Sequence, residues 1–289
     1  MILNKDDAKL FFKLHPSLLL FTNVRLKIVP EIDNMAVLMT ANVQLKKKIR
    51  DQVYEVPELI DDFITENPFN FAAEELAIIR SWKNFVKDTF IIFKHYKKYS
   101  IFLDRGDPGK AYGVLGLTEP IAHVVPQTPS YVEAVLLPFK NQIVYDGLLA
   151  PFSISFGSNM RFGFKDSFDM AKATYGIIES LPIKKLSESE ARENLLKYYL
   201  KDLEFHQDDI NRLIEKDEHL KELFYHEIGR KNSRFFKKTL QQYDISDCWF
   251  AMLADVIIAS GKTREEAEAS ACKIVSKQQE NLLFYFQIE

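Results

Sequence analysis

Between residues 89 and 156 the chain passes through five or six short runs of β-branched, aromatic and aliphatic residues, each cut off by turn residues. No helical periodicity interrupts them, and this succession limits the fold more than any other feature. Residues 89–96 and 99–104 flank Lys97-Lys98, a pattern that predicts a hairpin. Arg105-Gly106-Asp107-Pro108-Gly109 reads as a turn. Further strands are expected at 112–117, 131–139, 142–149 and 152–156. Lys140-Asn141 and Ala150-Pro151 supply turns, and Asp146-Gly147 marks a bulge or bend. Consecutive strands without helices between them predict a small antiparallel β-meander or open barrel.

Helical patterning lies on both sides. Val56-Pro57-Glu58 opens a helix whose apolar stripe is Leu59, Ile60, Phe63 and Ile64, and Asn67-Pro68 closes it. A second helix is predicted over 72–88, with Leu76, Ile79, Trp82, Lys83 and Val86 near one face and Phe85 beside them. Residues 32–40 are ambiguous, with a loop as one reading. A closing helix is expected at about 165–180, a linker at 182–187, and a new helix at the capping box formed by Ser187 and Glu190. The predicted fold class is therefore α+β. An α+β domain covers 1–185, with helices to about 88, the meander at about 89–157 and the closing helix. An all-α domain follows over 186–289.

A chain of 289 residues that is 47% hydrophobic and 27% charged can bury a core without covalent staples. Its 23 Phe and 12 Tyr favour filled cores or an aromatic contact surface. A net charge of −3 and a pI of about 6.1 give no global attraction to polyanions, so any such contact needs a local patch. Cys248 and Cys272 make neither a disulfide framework nor a zinc site and suit a reducing compartment. Lys5, Asp6, Asp7, Lys9 and Lys13 interrupt any leader-like apolar core, and the run Leu18 to Phe21 falls far short of the ~20 residues of a bilayer span. The expectation is a cytoplasmic protein without a membrane partner.

The chemical motifs fail one by one. Ser260-Gly261-Lys262-Thr263 ends like a phosphate-binding loop, but Val256 occupies the first glycine position. Phe250, Leu253, Ala254, Ile257 and Ile258 follow helical spacing, so Gly261 is expected to end one helix and Thr263 with Glu266 to cap the next. His219, Glu222 and His226 have metal-ligand spacing on a helix, yet both histidines fall opposite Ile210, on the polar face. His206 with Asp209 has no better support. There is no Gly-x-Ser-x-Gly elbow, and both cysteines lie in apolar, helix-like surroundings that disfavour a thiolate. Glu133 lies on a predicted strand, but Val135 stands where a nuclease lysine would.

Charge is segregated more informatively. Residues 187–228 hold 12 acidic and 6 basic side chains. The next ten positions carry Arg230, Lys231, Arg234, Lys237 and Lys238 with no acid, and Phe235 and Phe236 lie among them. A second knot, Lys94, Lys97 and Lys98 with His95, Tyr96 and Tyr99, sits at the predicted hairpin tip. A third is Lys46, Lys47, Lys48 and Arg50. Cations interleaved with aromatics suit phosphate contact and base stacking. The plain alternative is solvated lysines with the aromatics turned inward.

Ala111-Tyr-Gly-Val-Leu-Gly-Leu117, then Leu136-Leu-Pro-Phe-Lys-Asn-Gln-Ile-Val-Tyr-Asp-Gly-Leu-Leu149, then Ile154-Ser-Phe-Gly157, resembles an uncharacterised bacterial domain family. Residues 61–67 and 82–104 are similar to its upstream part, and the likeness spans about 10–182. Some members end in a small cysteine-rich zinc motif like that on the tail of a bacterial preprotein translocase. The segment after residue 186 has no such motif, so the resemblance implies no metal and no activity for this chain. It implies a bacterial origin and a regulatory or mobile-element role.

These readings converge on a non-enzymatic binding or regulatory protein without a cofactor. Nucleic acid is the first partner expected, through Lys94, Lys97, Lys98, Arg230, Lys231, Arg234, Lys237 and Lys238. A protein partner on the helical domain is the second. The competing class is a hydrolase with a noncontiguous site built from Asp146, Glu133 and a histidine such as His123.

Overall fold

The computed structural model describes the chain apart from residues 107, 153–155, 185 and 289, and it divides into two units, Met1–Leu186 and Ser187–Glu289. In the first unit, helices α1 (Lys5–Leu26), α2 (Met35–Thr40) and α3 (Val43–Glu55) each start at an asparagine. Asn4, Asn34 and Asn42 accept the backbone N–H three residues on, at 2.8, 3.1 and 3.0 Å. The Asn34 cap resolves much of the ambiguous stretch 32–40 as a helix. Next come α4 (Glu58–Glu66), closed by Asn67 at φ 40, and α5 (Ala73–Ser81).

The helix expected over 72–88 stops early. A single 3-10 turn, Trp82–Asn84, leads into β1 (Val86–His95), where Val86, Lys87 and Asp88 pair with Leu136, Val135 and Ala134. The ladder satisfies these backbone groups in a way the local helical spacing could not anticipate.

The remaining elements of this unit are β2 (Ser100–Leu103), β3 (Ala111–Leu115), α6 (Ile121–Val124), β4 (Ser130–Phe139), β5 (Gln142–Tyr145), β6 (Ala150–Pro151), α7 (Ser158–Tyr175) and β7 (Ile177–Ile178). The β1–β2 hairpin forms as the sequence predicts. The expected meander does not, because β3 pairs in parallel with β5 and β4 pairs with both β1 and β5. The order β1-β2-β3-β5-β4 thus closes on β1 as a five-stranded Greek-key barrel. The strand expected at 142–149 ends at Tyr145, since Gly147 turns the chain at φ +90. Phe152 is not in a strand, and most of the strand expected at 152–156 lies outside the described residues. The closing helix begins and ends earlier than expected, stopping before Gly176 at φ +71.

The ladder register puts Phe90, Ile92, Phe102, Tyr112, Val132, Ala134 and Leu136 on one face, the barrel interior. Phe90 touches both Phe102 and Tyr112 with ring centroids 5.9 Å apart. The outer surface is covered in two halves. Phe11 of α1 meets Phe139 at 5.8 Å and Trp82 at 5.9 Å, which docks the N-terminal helices on the β4 side. Phe164, Phe168 and Ala171 of α7 pack on Ile91, Ile101, Leu103 and Ala111 on the β1-β2-β3 side.

The second unit corrects the all-α expectation. After α8 (Glu188–Tyr199), α9 (Gln207–Ile214) and α10 (Glu218–Gln241) come strands β8 (Cys248–Leu253) and β9 (Val256–Gly261). Helix α11 (Arg264–Ala271) and β10 (Leu283–Ile288) follow, giving an antiparallel sheet in the order β10-β8-β9. Phe250, Met252, Phe286 and Ile288 pack with Phe236 and Leu240 of α10, while Ala251 and Leu283 pack with Ala271 of α11. A strand apolar on both faces loses its alternation and reads like a buried helix, which is why the periodicity misled. Among the described residues no helix is long and apolar enough to cross a membrane.

Gly229 sets how closely α10 approaches β10. A Cβ there would lie 2.5 Å from the Phe284 Cβ. Gly229→Ala is expected to cost about 1–3 kcal/mol by overpacking. Hydrogen exchange of the β8 and β10 amides would register the loss, and unchanged protection would show that the helix can shift freely.

Candidate nucleic-acid interface

Packing of α10 on the sheet decides which of its side chains face water. Gly229, Ser233, Phe236 and Leu240 are buried or half-buried on the sheet side. At 100° per residue, Lys237, Arg230, Arg234, Lys238 and Lys231 fall within about 120° of arc on the other side. All five are exposed. Arg230 is offset by Glu227 at 3.2 Å, whereas the other four have no acidic partner among the described residues. The two phenylalanines in this stretch part company: Phe236 turns in, and Phe235 is 68% exposed. Lys197 of α8, 3.7 Å from Glu193, lines one shallow depression with Lys231, Leu200, Glu227 and Ile228. Lys197 lies in the acidic stretch of the sequence, so only the folding of α8 against α10 could place it there.

The second knot occupies the tip of the β1–β2 hairpin. Lys94 lies 5.4 Å from the Tyr96 ring, Lys97 is exposed, and Lys98 pairs with Glu179 while lying over Tyr99. His95 is committed to structure, 2.7 Å from the Ser100 hydroxyl and 2.9 Å from the Val125 carbonyl. The third knot dissolves. Lys46 donates to the Met39 carbonyl, Lys47 to Glu133, and Arg50 is buried.

Other sequence candidates scatter. Gly261 ends strand β9 rather than a helix, and a Cβ on it would lie 2.6 Å from the Ala267 nitrogen, which leaves no room for a phosphate. Thr263 caps α11 by accepting the Glu266 N–H, as expected. His219 lies 3.1 Å from Glu193, while His226 turns in toward Phe284, against its expected polar-face position. His206 is buried against Tyr199. Among the described residues no group of His, Cys, Asp and Glu is placed to hold a metal ion. Cys248 lies on a strand rather than in helical surroundings, and burial, then Glu280 and Glu268, push the Cys272 thiol up.

Asp146 and Glu133 do come together, but around a cation. The Arg50 Nη1 lies 3.0 Å from Asp146, its Nη2 3.3 Å from Glu133, and its Nε 3.0 Å from Asp51. The Arg50 and Asp146 side chains are 1% and 0% exposed. Burial opposes the Arg50 cation, yet its three carboxylate neighbours outweigh that and hold its pKa above the ordinary value. At Asp146 burial wins, and the carboxyl is pushed up to about 6 despite Arg50, so the pair is still ionised at neutral pH. His15 and Asp146 border one cavity of about 130 Å³. His15 is 3.2 Å from the Tyr54 hydroxyl, and burial and then Arg50 lower its pKa to about 3. His123 is exposed at the end of α6 and takes no part. Both carboxylates of the expected hydrolase are thus held by Arg50.

No protein-family model, curated protein or solved structure matches this chain.

Arg50→Met, which strands the buried Asp146 carboxylate, is expected to cost about 3–5 kcal/mol in urea unfolding, and adding Asp146→Leu to recover much of it. A double variant no more stable than the single one would show that the charge pair is not the source of the loss.

His15 also makes stability pH-dependent. Its folded pKa is depressed, so its contribution is present above pH 6.5 and is lost as pH falls toward 3. Asp146 runs the other way, stabilising below its ordinary value of 3.8 and losing that as pH rises through about 6. Replacing His15 by Gln is therefore expected to remove about 2 kcal/mol of the destabilisation between neutral pH and about pH 5. Equal acid sensitivity in variant and wild type would contradict this.

Proposed function

We propose that this protein binds nucleic acid without transforming it. The exposed basic face of α10 is the principal contact, and the β1–β2 hairpin is a second. The observation that carries this reading is the gathering of Arg230, Lys231, Arg234, Lys237 and Lys238 on the one side of α10 that the sheet does not cover. Electrostatic attraction to a phosphate backbone needs a local field of this kind, which the net charge of −3 does not supply.

The barrel supports the same reading by analogy of connectivity. Five-stranded Greek-key barrels of the OB type take oligonucleotides on strands 2 and 3 and on neighbouring loops. Here α7 covers the face of β1, β2 and β3, which leaves the β1–β2 loop with Lys97 and Lys98 as the open part of that surface. The arrest of Asp146 and Glu133 by Arg50 favours binding over hydrolysis. A regulatory role in a bacterium or mobile element extends the family resemblance around residues 111–157.

Fluorescence anisotropy of labelled RNA and DNA against the purified chain tests the proposal. Affinity should fall steeply with salt, each phosphate contact adding about 0.7–0.9 to the log–log slope. Changing the five α10 cations to Glu should weaken binding at low salt by roughly a hundredfold or more with the fold intact by circular dichroism. Lys97→Glu with Lys98→Glu should weaken it less. If the wild-type chain binds no nucleic acid at low salt, the reading is wrong.

A further inference from the structure

Phe235, within the basic stretch of α10, is 68% exposed, and Tyr243, five residues beyond that stretch, is 74% exposed, while Phe205 and Phe162, at 67% and 66%, stand apart from it. A phenyl ring left in water on a folded surface is ordinary when it stands alone. Phe235 does not. At 100° per residue Phe235 falls at the edge of the cation arc beside Lys231, one turn before it, and Lys238, one turn after. Its ring leans on Phe236 at 5.7 Å and 72°, and Phe236 is anchored against the sheet. The ring is therefore a supported platform with cations on either side. Tyr243 lies two residues past the end of α10, where its N–H bonds to the Leu240 carbonyl.

Phosphate attraction alone does not need these rings. A duplex has its base faces closed by their own stacking, so Phe235 could meet only sugar and phosphate there, and its apolar surface would gain nothing. An unpaired base offers a flat apolar face, and stacking on it is favourable whatever the base. Arg230, Arg234 and Lys238 follow one another at steps of about 6 Å along the helix axis, a row along which an extended strand can lay successive phosphates.

We infer that the α10 surface selects single-stranded over double-stranded nucleic acid, with Phe235 stacking on an unpaired base while Lys231, Arg234 and Lys238 hold the flanking phosphates. The inference rests on the nucleic-acid reading above and goes beyond it in naming the strand state and the residue that reads it. Phe235 is a specificity determinant here, and Tyr243 a second stacking position downstream.

The test compares a labelled oligothymidylate with a labelled duplex of equal length, on the full chain, at two salt concentrations. The single strand is expected to bind at least several-fold more tightly. Phe235→Ala should weaken it roughly tenfold, leaving duplex binding and the salt slope unchanged. Phe235→Trp should restore the affinity, which a structural role for the phenyl group would not predict. Because the ring is exposed, the alanine variant is expected to keep its unfolding midpoint. Equal or tighter duplex binding overturns the inference. So does a Phe235→Ala variant that binds single strands like wild type while Arg234→Glu with Lys238→Glu loses both ligands, and in that case the nucleic-acid reading stands. Absence of binding to either oligonucleotide removes the reading and the inference together.

Discussion

Arg50 is the point on which the first unit turns. A guanidinium that is 1% exposed is tolerable only if its charge is matched, and α3 delivers it to Glu133 on β4, Asp146 at the end of β5 and its own neighbour Asp51. Those contacts tie the N-terminal helices to the barrel in one register, because shifting α3 by a residue would strand both the cation and a buried carboxylate. Lys47 on Glu133 and Lys87 on Asp51 extend the network toward the surface. The same network consumes the residues that looked most like a catalytic pair. A carboxylate locked to a buried arginine can position a helix, but it is poorly placed to move protons on a substrate.

With Arg50, Asp146 and Glu133 committed to one another, the exposed surfaces of the two units differ. The barrel is wrapped, by α1 and its neighbours on one side and by α7 on the other, and the tip of the β1–β2 hairpin is exposed. In the second unit the C-terminal half of one long helix, α10, is buried on the side that meets the sheet. Gly229 lets it lie close on β10, and that close contact orients everything opposite. Five cations and one phenyl ring face water as a consequence of packing on the far side of the helix. That basic surface is in this sense a by-product of where the sheet sits.

Several local features were legible in the chain because they depend on neighbours in sequence. The β1–β2 hairpin, the Ser187–Glu190 capping box and the Thr263 cap need only a few adjacent residues to form. Val86 to Asp88, by contrast, carry helical spacing but are claimed by β4, and residues 248–261 read as helix because helices cover both faces of their sheet. Distant β4 supplied the backbone hydrogen bonds of Val86 to Asp88, and distant β10 and α10 completed the pairing and burial of β8, whereas β9 pairs with β8 across the two-residue turn Ala254-Asp255.

By itself the sequence determined the mixed character of the first unit, the local caps and turns, and the clustering of positive charge after an acidic stretch. These follow from residue types and short-range periodicity. Closure of the barrel through β1–β4 and β3–β5, the strands of the second unit, the capture of Asp146 and Glu133 by Arg50, and the outward turn of Phe235 were decided only in the tertiary structure. Each of them is a choice between two faces or two partners that local propensity leaves nearly even. Burial of distant groups against one another settles that choice.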